Sequence, residues 1–354
     1  MDTIELLKDL IRIDSSTISG ANEAIEHAKD VLEKNGVVGK IIDNKGYKSY
    51  VCEIGKGDKT LVLNGHLDVV PGKKEYFEPY EKDGKLYGRG SADMKAGCAA
   101  MMSSVIKLSK QDIPCKVMLQ LVSDEEDGGA HCSQYLVENG YVGDFVICTE
   151  PTFLGLSLKA KGFLRVDIAV DGKSAHGSRP WEGKNAILKA VKEYEKVLEL
   201  PFMMEKSKFY NGSSVNLAII EGGEVYNNVP DKCVIGLDIR FVPHLDPNEI
   251  IRQIKDAVDG EVEVKFIGSS VNTSPDHPYI NQLMEMVKEV TATDEVEICG
   301  QHGSSDIRFF SKYNIPAVEL GPSGAFWHSD GEYVDIQSML DLQRIIEQFI
   351  MSFN

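Results

Sequence analysis

The chain has 354 residues, of which 42% are hydrophobic and 26% are charged, a composition typical of a globular protein of two domains. Its formal net charge of -17 argues against a nucleic-acid-binding protein, because a phosphate-binding surface needs clustered Lys and Arg. Apolar runs are too short for a membrane span and the acidic start is unlike a secretion signal, so we expect a cytoplasmic protein with no membrane partner.

The first part of the chain alternates helical and strand patterns, which indicates a largely parallel sheet covered by helices. Apolar residues at helical spacing predict helices over residues 3–13 and 21–35. An Ala- and Met-rich segment predicts a buried helix over 94–108. Short apolar runs predict strands over 60–63, 117–122 and 145–148.

The middle of the chain has a different order of elements, strand-helix-strand-strand-helix-strand. The predicted bounds are 162–170, 185–198, 214–220, 232–241, 247–258 and 261–267. This order is that of a ferredoxin-like βαββαβ unit, which indicates a second domain inserted into the first.

After Pro275 the chain resumes its first pattern, with a helix predicted over 279–290, a strand over 317–320 and a helix over 336–353. We therefore predict an α/β fold with a mixed, mostly parallel sheet in a catalytic domain of residues 1–157 and 275–354. The inserted ferredoxin-like domain is predicted to span residues 158–274.

Several strands of the first domain end in side chains that bind metals or transfer protons. The strand before His66 delivers His66 and Asp68, two residues apart, to the same side. Asp68 is poorly placed to share a metal with His66 but well placed to accept its other ring N–H. A histidine and an aspartate in an ordinary surface turn are an equal alternative for this segment alone.

Asp93 lies in a glycine-rich segment that leads into the Ala- and Met-rich helix. A phosphate-binding loop is the competing interpretation, but the Walker spacing is absent. A carboxylate held in a glycine-rich turn is better explained as a metal ligand.

Two further strands end in carboxylates, and the C-terminal region offers a second imidazole. Residues 117–122 run into the four acids of 124–127, which include Glu125 and Glu126, and Glu150 follows the strand 145–148. His328 is the second imidazole. One glutamate could bind metal while its neighbour handles protons. The HExxH and GxSxG motifs are absent, so dispersed histidines and carboxylates favour divalent ions such as zinc.

Together these segments resemble the dinuclear zinc hydrolases that include acetylornithine deacetylase, succinyl-diaminopimelate desuccinylase, aminoacylase and glutamate carboxypeptidase. The resemblance extends over nearly the whole chain. The matching motifs are HxDVVP at 66–71, GRGxxDxKxG at 88–97, DEE at 124–126, EP at 150–151, and GP, His and Glu at 321–322, 328 and 332.

The resemblance implies a cofactor of two divalent metal ions, zinc or alternatively cobalt. Asp93 would bridge both ions. His66 and Glu150 would complete the ligands of one ion, and Glu126 and His328 those of the other.

The resemblance also assigns the residues around the ligands. Glu125 would be the general acid and base, and Asp68 would support His66. The peptide bond between Asp93 and Met94 would be cis.

The middle domain resembles the dimerisation domain of the same family, with the motif GxxxH…P…GxNA in residues 172–186. The resemblance implies a homodimer in which His176 reaches the partner's active site and stabilises the developing oxyanion. Asn227 and Arg240 match positions that hold the substrate carboxylate, which an arginine can bind bidentately. The sequence departs from the family pattern at Asn228, His302 and Trp327.

The leading hypothesis is a metallopeptidase-like amidohydrolase of amino-acid biosynthesis that deacylates an N-acyl amino acid by attack of a metal-bridging water. Its substrate would be N-acetylornithine or N-succinyl-diaminopimelate. One alternative is a dipeptidase or carboxypeptidase of the same family. The other is a non-catalytic protein that binds metal or amino acids, which would be expected to have lost the base or a ligand.

Overall fold

The computed structural model describes residues 2–354, and within them the chain separates into two compact units. Unit 1 contains the described residues up to Leu158 together with Thr273–Cys299 and Ser305–Asn354. Unit 2 contains Lys159–Asn272 and Gly300–Ser304. Met1, the first residue of the predicted catalytic domain, lies outside the described residues.

The α-helices are α1 Thr3–Arg12, α2 Ile18–Lys34, α3 Ala96–Leu108, α4 Ser133–Glu138, α5 Ala186–Leu198, α6 Pro201–Met204, α7 Pro247–Ala257, α8 Pro278–Thr291, α9 Ile307–Ser311 and α10 Ile336–Ser352. Short 3-10 helices occur at Lys74–Phe77 and Pro180–Glu182. No helix within residues 2–354 combines the length and the apolar character that crossing a membrane requires.

The strands are β1 Gly39–Asn44, β2 Tyr47–Ile54, β3 Thr60–His66, β4 Tyr80–Lys82, β5 Lys85–Tyr87, β6 Lys116–Val122, β7 Phe145–Cys148, β8 Leu156–Ala160, β9 Gly162–Asp171, β10 Ser214–Gly222, β11 Lys232–Phe241, β12 Glu261–Gly268, β13 Val271–Asn272, β14 Ile298–Gln301, β15 Ala317–Glu319, β16 Gly324–Ala325 and β17 Tyr333–Asp335.

Within the described residues, six neighbouring strands of the nine-stranded central sheet have the order β1-β2-β6-β3-β7-β15, and β8 follows β15. Strands β6, β3, β7 and β15 are parallel, whereas β1 and β2 add an antiparallel margin. The parallel strands are almost wholly buried, as expected for strands covered by helices on both faces. The structure confirms the predicted mixed α/β class with parallel strands at its centre.

A second, smaller sheet of unit 1 was not predicted from the sequence. Its antiparallel order is β16-β17-β5-β4, and its strands have only two or three residues each. Such strands are too short to show a two-residue period, so the sequence gives no signal for them. This sheet pairs Tyr87 with Tyr333 and thereby joins the segment before Asp93 to the segment after His328.

Unit 2 contains an antiparallel sheet of order β10-β11-β9-β12 with helices α5 and α7 against it. Alternate residues of β9, such as Leu164, Val166 and Ile168, enter its core. In chain order the main elements are strand, helix, strand, strand, helix, strand, with short α6 added after the first helix.

Gly300–Ser304 belong to unit 2, although the sequence analysis assigned them to the other domain. The phenol of Tyr210 donates to the Gln301 carbonyl over 2.9 Å, and Lys161 N also donates to this carbonyl. These contacts join segments distant in the sequence, which a search for periodic patterns does not detect.

Candidate metal centre

Three neighbouring parallel strands of unit 1 deliver candidate ligands to the same edge of the sheet. His66 is the last residue of β3, Glu126 follows β6, and Glu150 follows β7. The carboxyl ends of parallel strands are where sites form in open α/β sheets. Asp93 precedes α3, and His328 lies in the loop between β16 and β17.

The five predicted ligands fall into two groups that share one residue. His66, Asp93 and Glu150 form one group, and Asp93, Glu126 and His328 form the other. Within each group the ligand atoms lie within 4.8 Å of one another. Asp93 Oδ1 is 3.2 Å from His66 Nε2, and Asp93 Oδ2 is 3.2 Å from His328 Nε2. Each oxygen of one carboxylate therefore faces a different group.

The donor atoms suit a divalent cation in each group. His66 is buried, and its Nε2 faces two carboxylate oxygens, Asp93 Oδ1 at 3.2 Å and Glu150 Oε1 at 3.8 Å. His328 Nε2 is 3.0 Å from Glu126 Oε1. Carboxylates gathered around imidazole nitrogens are the usual ligands of zinc and similar divalent ions. The residues present fit two such ions.

Asp68 contacts His66 through a different atom from the one expected. His66 Nδ1 lies 2.9 Å from the main-chain oxygen of Asp68, whereas the Asp68 carboxylate is 3.6 Å away. The expected bond to the carboxylate is not formed: Asp68 Oδ1, the nearer oxygen, stays 3.6 Å from His66 Nδ1, and Oδ2 accepts from the backbone N–H of Glu126 over 2.9 Å. Asp68 thus holds both the histidine and the turn that carries Glu126.

Glu125 lies in the same turn as Glu126 but belongs to neither ligand group. Burial raises the pKa of Glu125 well above its usual range, and the charge of His66 opposes this effect. Arg308 Nη1 lies 4.0 Å from Glu125 Oε1. Arg308 also donates to the carbonyls of Gly128 and Ser305, over 2.7 Å and 3.0 Å. Glu125 is therefore a half-buried carboxylate in a turn to which Arg308 donates a hydrogen bond at Gly128.

Glu332 holds the turn that carries Asp93, a role that the sequence motifs did not indicate. Its carboxylate accepts from the backbone N–H groups of Gly90, Ala92 and Asp93 over 3.0, 3.0 and 3.2 Å. It also accepts from Arg89 Nη1 over 2.7 Å. The sequence signal for Glu332 was its place in the matched motif, four residues after His328. The neighbouring Asp93–Met94 peptide is cis, as the resemblance implied.

The three remaining predicted site residues lie in unit 2. Gly177 N donates to the Asn227 carbonyl over 2.7 Å, so the segments of His176 and Asn227 are adjacent. His176 Nδ1 lies 2.8 Å from the Ser178 hydroxyl. Arg240 Nε and Nη2 both donate to Asp238, over 2.6 Å and 3.2 Å. The roles of these three residues stay predictions.

Comparison with known proteins places these observations in a family. Residues 62–352 match the model described as peptidase family M20/M25/M40. A probable succinyl-diaminopimelate desuccinylase of Staphylococcus aureus (strain MSSA476) is 26% identical over 382 residues, covering 94% of this chain and 93% of the relative.

Solved structures show the same fold at lower identity. The aminopeptidase PepT from Bacillus cereus superimposes with a TM-score of 0.83 at 20% identity, over 99% of this chain and 97% of that one. A Bacillus subtilis protein described as a dinuclear metal binding peptidase has a TM-score of 0.74 at 15% identity, over 99% of this chain and 97% of its own.

Proposed function

The chain belongs to the peptidase family M20/M25/M40, and on that premise we propose that it is a two-metal amidohydrolase that removes the acyl group from an N-acyl amino acid. The observation that carries this proposal is the geometry of Asp93, whose two carboxylate oxygens each lie 3.2 Å from a different imidazole. A carboxylate so placed can bridge two cations. His66 and Glu150 would hold one ion, and Glu126 and His328 the other.

Two bound divalent ions would supply a water of lowered pKa and polarise the scissile carbonyl. Zinc suits this donor set, and cobalt is the alternative. The reaction would be hydrolysis of a linear amide bond.

Glu125 would take the proton of the attacking water and return it to the leaving amine. The raised pKa of Glu125, which is caused by its desolvation, supports this role because a carboxylate of raised proton affinity is a stronger base. The contacts of Arg308 with Gly128 and Ser305 would keep Glu125 in place during the transfer.

Residues of unit 2 would bind the substrate. Arg240 would hold the substrate carboxylate through the guanidinium N–H groups that Asp238 does not use, and Asn227 would donate beside it. His176 would donate to the developing oxyanion, an interaction worth about 3–4 kcal/mol in comparable sites.

The substrate would be a small molecule of the acetylornithine or succinyl-diaminopimelate type, as the name of the Staphylococcus relative suggests. A second candidate activity is that of a dipeptidase or carboxypeptidase. The likeness of fold to an aminopeptidase, with a TM-score of 0.83, supports this second candidate.

The proposal is tested by measuring metal content and hydrolysis together on zinc- or cobalt-loaded protein. The substrate panel contains N-acetylornithine, N-succinyl-diaminopimelate and simple dipeptides. We expect Glu125→Ala to lower kcat by a factor of about 10²–10⁴ while both metal ions stay bound.

Two variants of the same turn are the controls. Glu126→Ala should lose metal, and Asp127→Ala, which alters an exposed residue, should keep both metal and activity. Loss of metal from Glu125→Ala would make Glu125 a ligand instead of the base. A metal-loaded wild-type protein that hydrolyses nothing in the panel would favour a non-catalytic binding protein.

A further inference from the structure

Two exposed aromatic residues are close in sequence to candidate ligands. Phe153 is three residues after Glu150 and is 58% exposed, and Trp327 directly precedes His328 and is 38% exposed. Their ring centroids are 6.3 Å apart and the ring planes are inclined by 58°. The pair thus connects two loops, each of which carries a ligand of a different metal group.

The backbone of both loops adopts conformations that residues other than glycine rarely adopt. The φ angles are +57° at Phe153, +61° at Leu154, +61° at Phe326 and +60° at His328. Residues held in this left-handed region persist where the surrounding structure enforces them, and they concentrate at functional sites. Here they flank both aromatic side chains.

Hydrogen bonds hold each of the two loops: the Phe153 loop is bonded to Gly321, which precedes β16, and a further bond closes the turn that contains Trp327. Leu154 N donates to the Gly321 carbonyl over 2.9 Å, and Gly321 N donates to the Thr152 hydroxyl over 2.9 Å. Ser329 N donates to the Phe326 carbonyl over 2.9 Å, which closes the turn around His328. An apolar surface of this kind can bind a ligand without first becoming ordered.

The buried cations of unit 1 are already bonded to groups of the protein. Within the described part of unit 1 they are Arg89, Lys95 and Arg308. Arg89 pairs with Glu332, and Lys95 Nζ donates to the carbonyls of Leu10 and Ile13. Arg308 donates to two carbonyls behind Glu125. These three cations already have partners in the protein, so none of them is available to bind a second carboxylate on the substrate's acyl group.

We propose that Phe153 and Trp327 form a subsite for an apolar side chain next to the scissile amide. The favoured substrates are then N-acyl amino acids or dipeptides with an aromatic or branched aliphatic side chain. This inference rests on the proposed amidohydrolase function, and it replaces the acetylornithine or succinyl-diaminopimelate type of substrate by one with an apolar side chain. An aromatic pair contacts such a side chain with large, rigid faces, whereas it offers a charged group no compensation for lost hydration.

The first test compares kcat/KM on N-acetyl-L-phenylalanine, N-acetyl-L-leucine, N-acetylglycine, N-acetyl-L-ornithine and N-succinyl-diaminopimelate. We expect the phenylalanine and leucine substrates to be preferred. Phe153→Ala and Trp327→Ala should each lower kcat/KM for them about tenfold or more, while N-acetylglycine changes by less than about threefold. Tyr313→Ala removes an exposed aromatic ring from elsewhere in unit 1 and should leave all five values unchanged.

The second test measures binding without turnover. The chain has two tryptophans, so Trp181→Phe leaves Trp327 as the only indole. In metal-loaded protein that carries Trp181→Phe and Glu125→Ala, N-acetyl-L-phenylalanine should shift or quench the Trp327 emission. N-acetylglycine at the same saturation should leave the emission unchanged.

The possible results of the two tests distinguish a failure of the proposed subsite from a failure of the proposed hydrolase function. A Trp327 signal with N-acetyl-L-phenylalanine but no hydrolysis of any substrate supports the subsite and overturns the proposed function. Hydrolysis that prefers N-acetylornithine or N-succinyl-diaminopimelate, or that falls equally for all substrates in Trp327→Ala, overturns the subsite. So does a change of oligomeric mass in Trp327→Ala without a change in selectivity, because the pair would then be covered by another protein surface.

Discussion

At the scale of single residues, the position of Asp93 depends on a carboxylate that is far from it in the sequence. Glu332 is 4% exposed and satisfies three backbone N–H groups around Asp93 in addition to the guanidinium of Arg89. A buried ion pair is sensitive to the loss of one partner, because the other charge is then left without compensation. Glu332 therefore connects the stability of unit 1 to the geometry of the metal site.

We expect Glu332→Ala to lower the free energy of unfolding by about 3–5 kcal/mol, since Arg89 would stay buried without its partner. Metal affinity should fall by a factor of about 10–100, because the turn that holds Asp93 loses its support. Chemical denaturation and metal titration measure the two effects.

Glu332→Gln retains an acceptor oxygen and should lose less in both measurements. Glu249→Ala, which removes an exposed ion pair with Arg252, should change stability by about 0.5 kcal/mol or less. Metal affinity that is unaltered in Glu332→Ala would show that Asp93 keeps its position without this carboxylate.

At the scale of elements, α3 explains how the ligand-bearing strands meet the turn of Asp93. Every residue of α3 except Lys107 is buried, and its small residues allow a close approach to the sheet. A Cβ atom at Gly97 would lie 2.3 Å from the hydroxyl of Thr149 and 2.5 Å from the Thr149 carbonyl oxygen. Thr149 directly precedes Glu150, so this contact sets the position of a ligand.

Gly97→Ala should therefore cost about 1–3 kcal/mol of stability, as overpacking does in well-filled cores. It should also weaken metal binding, because Thr149 can yield only by moving Glu150. Thermal unfolding and metal titration of the same samples would show both effects.

The matched control is Gly303→Ala, where an added Cβ would meet no atom within 4 Å. A Gly97→Ala protein as stable as the wild type would mean that α3 and the segment of Thr149 can move apart without a loss of stability.

At the scale of the whole molecule, the apolar surface of unit 2 supports the proposed homodimer. Leu188 of α5 is 64% exposed, and Ile219 and Ile220 of the edge strand β10 are 52% and 47% exposed. Exposed apolar residues on an edge strand favour association with a second chain.

If His176 completes the site of the partner, two inactive variants should restore activity when mixed. Glu125→Ala and His176→Ala proteins, unfolded and refolded together in equal amounts, should recover about a quarter of wild-type activity, because random pairing makes half the dimers mixed and each mixed dimer has one intact site. Each variant refolded alone is the control. Failure to recover activity would place His176 in the site of its own chain or outside catalysis.

Local sequence patterns predicted most of the helices and buried strands and identified the candidate ligands. Strands such as β3, β6 and β7 are continuous apolar runs, and the residue that ends or follows each run is visible without a structure. The hairpin of β1 and β2 was not predicted, nor were the short strands of the smaller sheet. The positions of these strands are determined by the strands with which they pair, because their own residues show no clear two-residue period of hydrophobicity.

The tertiary structure decided what the side chains contact. Asp68 contacts His66 through its main-chain oxygen, and its carboxylate accepts from the backbone N–H of Glu126. Glu332 reaches Asp93 across 239 positions of sequence, and Trp327 meets Phe153 across 174. Such contacts arise when strands and loops from distant parts of the chain converge at one edge of the sheet, and no periodic pattern records them. The sequence by itself thus determined which groups could bind metal, and the fold determined how those groups are held and what surrounds them.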